Sequence, residues 1–272
     1  MIRAKPGKKL RRPAVRRKRK GGFTMKEDSV RSVERAFHIL KAFTRDDYKL
    51  TLSEISERIG LPVTTTLRLS GTLERLDLLT RHDDRTYSLG SQLYILGSIA
   101  RANFRPQQII YPYMKTIRDN TKEAVSLYGI EGEERVCYEH VESLLTMRCV
   151  MRVGDRAPLW AGAGGKALLA FLGEEAVARE IAKAHPITST TLSTAEELRK
   201  DLSEIRTLGY AISWGEREEG ILSIAVPIFN RKGEILFSFS LAGPASRFTE
   251  EIALSLIPEI QRMCREISQQ IG

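Results

Sequence analysis

Three cysteines in 272 residues, Cys137, Cys149 and Cys264, are too widely spaced and odd in number for a disulfide framework, and no Cys-x-x-Cys pair offers a zinc site. Histidine is as sparse: His38, His82, His140 and His185 stand singly, with no two at the i, i+4 spacing of a helical metal site. No catalytic group, metal or cofactor is expected. No apolar run reaches the ~18 residues that cross a bilayer, and the basic N-terminus has no apolar stretch behind it to make a signal peptide. These absences point to a soluble protein of the reducing cytoplasm, with no membrane partner. Acid is missing from the first twenty residues, which hold eleven Lys and Arg between Arg3 and Lys20. That block's +11 against a whole-chain charge of +9 leaves −2 for the remainder, so the basic character belongs to a tail. Pro6, Gly7, Pro13, Gly21 and Gly22 break regular structure, and residues 1–24 read as a disordered arm. Three readings of the arm stay open: attraction to nucleic-acid phosphates by counterion release, a solvated tail of little consequence, and translation that starts at Met25.

What is present suits two domains. Val33, Ala36, Phe37, Leu40 and Phe43 recur at helical spacing over Ser32 to Phe43. Thr51 and Glu54 form a capping box, with Leu50 and Ile55 as a hydrophobic staple, which starts a second helix from Leu52 to Ile59. Gly60 ends it, and Pro62 opens a third helix to Asp77. There Thr66, Leu69, Ser70, Leu73 and Leu76 make the inward stripe, while Thr64, Thr65, Leu67 and Arg68 point out. Two short β-segments, Leu79 to Arg81 and Thr86 to Leu89, flank the polar turn from His82 to Arg85 and read as a hairpin wing. Residues 25–89 are therefore expected to form a winged helix-turn-helix. Its third helix suits a major groove, with the Thr64 and Thr65 hydroxyls reaching phosphates or base edges and Arg68 reaching guanine. A helical hairpin that merely packs on a partner is the alternative.

Leu93, Leu96, Ile99 and Ala100 mark a linker helix within residues 90–105, read as dimer-forming. Residues 106–272 begin with a helix from Gln107 to Asn120, then strands at Ala124 to Ile130, Arg135 to His140 and Leu145 to Met151. Helices follow after Pro158, around Glu175 to Ala184, and from Glu196 to Leu208 behind a second capping box, Thr194 with Glu197. Strands at Ile221 to Phe229 and Glu234 to Ala242, joined by a turn at Asn230 to Gly233, precede a last helix from Glu250 to Ile271. Hairpins with helices grouped around them predict an antiparallel α+β domain.

Two tempting sites weaken on reading. GAGGKALL resembles a phosphate loop, but Trp160 stands where the first glycine belongs and Ala167 where magnesium needs Ser or Thr. Lys166 is expected to pair with an acid or cap the sheet edge instead. Glu216, Glu218 and Glu219 are read as a solvated turn rather than catalytic carboxylates. Cys149 is either a pocket residue or a small core side chain.

Seven segments in order, SVERAFHIL, LTLSEISERIGLP, TTTLRL, YSLG, APLWAGAGGKALLA, GYAISWGEREEGILSIAVPIF and FSLAGP, make the chain resemble the IclR-type bacterial transcription regulators from Val30 to Gly272. The resemblance implies a winged helix-turn-helix, a dimerising linker helix and a C-terminal effector domain of GAF-like topology, acting as a homodimer or homotetramer on palindromic double-stranded DNA. The residues expected at the DNA are Thr64, Thr65, Leu67, Arg68 and Arg85. The resemblance places Cys149, Ala163, Gly164, Ser213, Ile221, Ser223 and Ser240 around a small-molecule effector, an organic acid or aromatic metabolite. Small residues leave room for it, and N–H groups of the Gly-rich turn favour an anion. The chain departs from the family at Thr66 and Ser70, usually larger aliphatics, at Leu67, often His or Tyr, and at Gly71, a mid-helix glycine that costs roughly 1 kcal/mol. Ser223 replaces a frequent cysteine and Ser213 an acid. The expected function is promoter binding modulated by a metabolite. The alternative is a small-molecule-binding enzyme or sensor whose N-terminal domain mediates protein contacts.

Overall fold

The computed structural model describes residues 30–271, so the basic arm and the start at Met25 lie outside the described residues. The chain divides into two units, one running through Ala100 and one from Arg101.

The first unit contains α1 (Arg31–Lys41), β1 (Leu50–Thr51), α2 (Leu52–Ile59), α3 (Val63–Arg75), β2 (Leu79–Arg81), β3 (Thr86–Leu89) and most of α4 (Ser91–Ala102). The capping box forms as expected: Glu54 N–H donates to Thr51 Oγ1 at 3.3 Å, and Thr51 N–H donates to Glu54 Oε2 at 2.7 Å. Leu50 and Ile55 share a core with Ile39, Phe43, Leu73, Leu79 and Tyr87. Val33 and Phe37 are exposed, because α1 meets α2 and α3 through Ile39. Leu76 also leaves the inward stripe, 56% exposed, since α3 stops at Arg75 and Leu76 is its C-cap. The helix runs unbroken through Gly71. The wing pairs β2 with β3, and β1 pairs with the other side of β3; a two-residue strand has no periodicity by which to be foreseen. Gly90 closes the wing. Its N–H donates to the Leu78 carbonyl at 2.9 Å, and a Cβ there would lie 2.1 Å from the Asp77 carbonyl oxygen.

The second unit contains α5 (Arg105–Thr121), β4 (Ala124–Glu131), β5 (Glu134–Val141), β6 (Arg156–Pro158), α6 (Ala163–Leu169), α7 (Glu174–Ile181), α8 (Ala195–Leu208), β7 (Ala211–Trp214), β8 (Ile221–Phe229), β9 (Ile235–Pro244) and α9 (Glu250–Ile271). Six antiparallel strands lie in the order β6-β5-β4-β9-β8-β7, giving the expected antiparallel α+β class. One face carries Val125, Leu127, Leu222, Ile224, Phe239 and Leu241, packed against Ile110, Met114 and Ile117 of α5 and Ile257, Ile260 and Ile267 of α9. The other face packs against α6, α7 and α8 through residues such as Ala167, Leu168, Val177, Leu198 and Leu202. Leu145 to Met151 is not a strand. That stretch lies in an irregular loop, because the outer edge of β5 is already taken by β6, by the Asp155 carbonyl and by the Gly154 N–H. The short edge strands β6 and β7 were not foreseen.

Every residue of α6 is buried, Lys166 included at 1% exposure. Its Nζ lies 2.5 Å from Glu216 Oε1 and 3.0 Å from Asp201 Oδ2, and donates to the Ile212 carbonyl at 3.2 Å. Lys166 thus pairs with an acid as expected, but Glu216 is no solvated turn residue. It is 4% exposed, because a buried ammonium requires a counter-charge. Glu218 and Glu219 are exposed. The glycines of GAGGK serve packing rather than phosphate: a Cβ on Gly165 would come within 2.7 and 2.8 Å of the Leu159 and Pro158 carbonyl oxygens.

Glu216→Ala, which strands a buried cation, is expected to lower unfolding free energy by about 3–5 kcal/mol in urea titration. The double change Lys166→Met with Glu216→Leu should recover most of that loss. Gly90→Ala should cost about 1–3 kcal/mol by forcing the wing off the Asp77 carbonyl, read as a lower midpoint of the N-terminal unit's transition.

Candidate nucleic-acid interface and ligand pocket

In the first unit, α3 differs from α2 at its start. It has Pro62 as N-cap with no side-chain cap and no acid in its first turn, whereas α2 is closed by its capping box. The first N–H groups of α3, at the positive end of its dipole, are left for an external acceptor. Thr64, Leu67 and Arg68 are exposed there, and Thr65 is half-buried, so it is less outward than its spacing implied. Thr66 and Ser70 are fully buried. The Thr66 hydroxyl donates to the Pro62 carbonyl at 3.2 Å, while the Ser70 hydroxyl has no partner. Arg85 sits at the wing tip with φ +64. Asp84 Oδ1 accepts from the Thr86 N–H at 3.0 Å and from its hydroxyl at 2.6 Å, bonds that hold the Asp84 carboxyl below its usual range and fix the turn presenting Arg85.

In the second unit all seven residues expected around an effector line one cavity of about 90 Å³: Cys149, Ala163, Gly164, Ser213, Ile221, Ser223 and Ser240. The sheet explains why. Residues paired across antiparallel strands share a face, and the register aligns Ala124 with Ala242, Ala242 with Ser223 and Ser223 with Ser213. Beside this row, His140, Ser126, Ser240 and Ala225 form another. Two rows of small side chains leave a hollow between the sheet and the start of α6. Cys149 is half-buried at its rim, and its thiol is pushed up to about 11, by burial first and then by the charges of Glu218 and Glu123. That keeps it a neutral lining group. The Gly-rich turn offers less to an anion than expected, since the Gly162 N–H donates to Glu216 Oε2 at 2.9 Å.

The polar groups that dominate the cavity were not foreseen. Arg135, 5% exposed, lays its guanidinium 4.2 Å from the centre of the Tyr128 ring, and its Nε has no hydrogen-bond partner. Arg217 lines the same cavity. Its guanidinium is pushed down to about 10, by burial first and by the charge of Arg135 second. Ser126 Oγ and His140 Nδ1 stand 2.9 Å apart at the floor, with burial holding the imidazole below its usual value. The signal for Arg217 is present in GEREEG, where the arginine between the acids reaches the cavity. Arg135 was legible only as the first residue of an expected strand. Among the described residues no helix is long and apolar enough to cross a membrane, and no group of His, Cys, Asp or Glu is arranged to hold a metal ion.

Both units match models of known protein domains. Residues 32–83 match the model of the IclR helix-turn-helix domain, and residues 102–269 match that of the bacterial transcriptional regulator IclR C-terminal domain. The HTH-type transcriptional regulator KipR of Bacillus subtilis is 30% identical over 248 residues, spanning 90% of this chain and 99% of its own. The crystal structure of an IclR transcriptional regulator from Alicyclobacillus acidocaldarius superposes with a TM-score of 0.81 at 27% identity, covering 90% of this chain and 100% of that one. An IclR homologue from Microbacterium hydrocarbonoxydans, complexed with 4-hydroxybenzoate, gives a TM-score of 0.75 at 26% identity, covering 88% and 99%. The chain belongs to the IclR family of bacterial transcriptional regulators, with a DNA-binding helix-turn-helix domain and the family's C-terminal domain.

Proposed function

We propose that a small organic acid bound in the cavity against the sheet modulates promoter binding by this regulator. The observation that carries the reading is the convergence of Cys149, Ala163, Gly164, Ser213, Ile221, Ser223 and Ser240 on one hollow with two arginines. The ligand-bound Microbacterium homologue supports it, since a protein of the same family and fold holds an acid. A cavity of about 90 Å³ suits a short aliphatic acid better than a ring, because even benzene occupies cavities of ~150 Å³.

In this reading residues 25–89 read DNA, residues 90–105 join two copies and residues 106–272 sense the effector. Thr64, Thr65, Leu67 and Arg68 meet the major groove, and Arg85 reaches from the wing to the backbone. The uncapped start of α3 receives a phosphate. Tyr94, Ile95, Leu96 and Ile99 of α4 are exposed, an apolar face that fits the expected homodimer or homotetramer. Effector binding then shifts the populations of two dimer geometries and with them the spacing of the recognition helices.

Arg68→Ala is expected to weaken specific operator binding by about 1–3 kcal/mol, measured by gel shift at fixed salt on the DNA flanking the gene. Unaltered affinity removes Arg68 from the readout. Ser223→Leu, which fills the hollow, should keep operator affinity but abolish its response to whichever organic acid raises the Tm in a thermal-shift screen. A full response in that variant places the effector elsewhere.

A further inference from the structure

Burying one guanidinium without a counter-charge is costly, and this cavity holds two. Gly162 lies between them: a Cβ on it would be 3.2 Å from Arg217 Cδ and 3.9 Å from Arg135 Nη2. Arg135 and Tyr128 pack directly on Gly164, where a Cβ would lie 2.9 Å from Arg135 Nη1 and 2.6 Å from the Tyr128 ring, too close to be accommodated. The nearby acids do not pair with either arginine. Glu216 gives one oxygen to Lys166 and the other to the Gly162 N–H, Glu218 lines the cavity but is exposed to solvent, and Asp155 accepts the Arg152 N–H at 2.8 Å; the charges of Glu218 and Asp155 reach Arg217 but are outweighed by its burial and by Arg135. Among the described residues neither Arg135 nor Arg217 forms an ion pair. Tyr128 steadies Arg135 through its ring face alone, which leaves the guanidinium's donors free to face a ligand.

Resting on the reading of this cavity as the effector site, we propose that the ligand is a short dianion whose two acid groups are taken one by Arg135 and one by Arg217. A planar guanidinium matches a carboxylate or a phosphate in two parallel hydrogen bonds. Two such forks on either side of a glycine select for charge number as well as size. The rows of Ser126, Ser213, Ser223 and Ser240 leave room for a short chain, and Ser213 and Ser223 offer it hydroxyls, those of Ser240 and Ser126 being bonded to the Ile224 carbonyl and to His140. A monoacid satisfies one arginine and leaves the other buried beside it as a bare like charge. The free protein carries that repulsion until the dianion removes it.

The test is calorimetric titration of the full chain near neutral pH with malonate, succinate and 2-phosphoglycolate, against propionate and butyrate as monoacids of matched length. The dianions malonate and succinate are expected to bind about 10- to 100-fold more tightly than propionate and butyrate, the worth of one charge-assisted contact. The phosphoglycolate arm tells whether the second acid is a phosphate or a carboxylate. Arg217→Gln, on a half-buried side chain with no ion pair to lose, should bring the ratio close to one and raise the Tm of the free protein. A lower Tm with the preference intact would mark Arg217 as merely structural and overturn the proposal. Equal affinity for monoacids and dianions overturns it while leaving the effector-site reading standing. Binding by none of the five acids also overturns it. The effector-site reading then falls as well only if Ser223→Leu leaves the response of operator binding to an active metabolite unchanged.

Discussion

The C-terminal unit is organised around the buried contact between Lys166 and Glu216. Lys166 projects from a seven-residue helix with no exposed residue, and its charge is tolerable only because Glu216 and Asp201 come in to meet it. That requirement draws the loop after β7 inward. Three threonines then fix the loop from outside, Thr190 donating to the Trp214 carbonyl, Thr188 to that of Gly215 and Thr191 to that of Glu216. The next residue is Arg217, so the ion pair also sets where the second cavity arginine stands. Without Glu216 the start of α6, the loop and the arginine would lose their common reference.

The sheet supplies the other half of the site by being asymmetric. On one face its strands carry Val, Leu, Ile and Phe packed against α5 and α9. On the other, the aligned Ala and Ser side chains of β4, β7, β8 and β9 are too small to reach the helices opposite. The hollow is therefore a consequence of which residues alternate along the strands. A small-residue face would ordinarily be a packing defect costing stability; here it is lined with arginines and hydroxyls, as a ligand site is.

Much of this was legible in the sequence, for physical reasons that differ by element. The boundaries of α2, α8 and α9 follow from local chemistry, two capping boxes and an unbroken amphipathic repeat. The β8–β9 hairpin follows from Asn230 and Gly233, whose turn bonds are local as well. Strands β1, β6 and β7 are too short to show a period; β1 and β6 exist through a partner distant in the chain, and β7 through the strand that follows it. Leu145 to Met151 has the composition of a strand but no free edge to pair with. The seven pocket residues came from the family resemblance rather than from periodicity, and the register explains their convergence. Glu216, Arg135 and Arg217 were misjudged or passed over because burial of a charge is decided by long-range partners that no local window contains.

Two sites in one chain make a regulator only if their ligands are linked. Linkage demands that pocket occupancy and operator affinity change together and by reciprocal amounts. The most direct measurement is operator binding by fluorescence anisotropy at fixed salt across a range of effector concentration, set beside calorimetric binding of the same acid to the free protein. Operator affinity is expected to shift with a midpoint tied to the pocket Kd. Operator affinity that stays constant while the pocket fills to saturation would contradict the linkage.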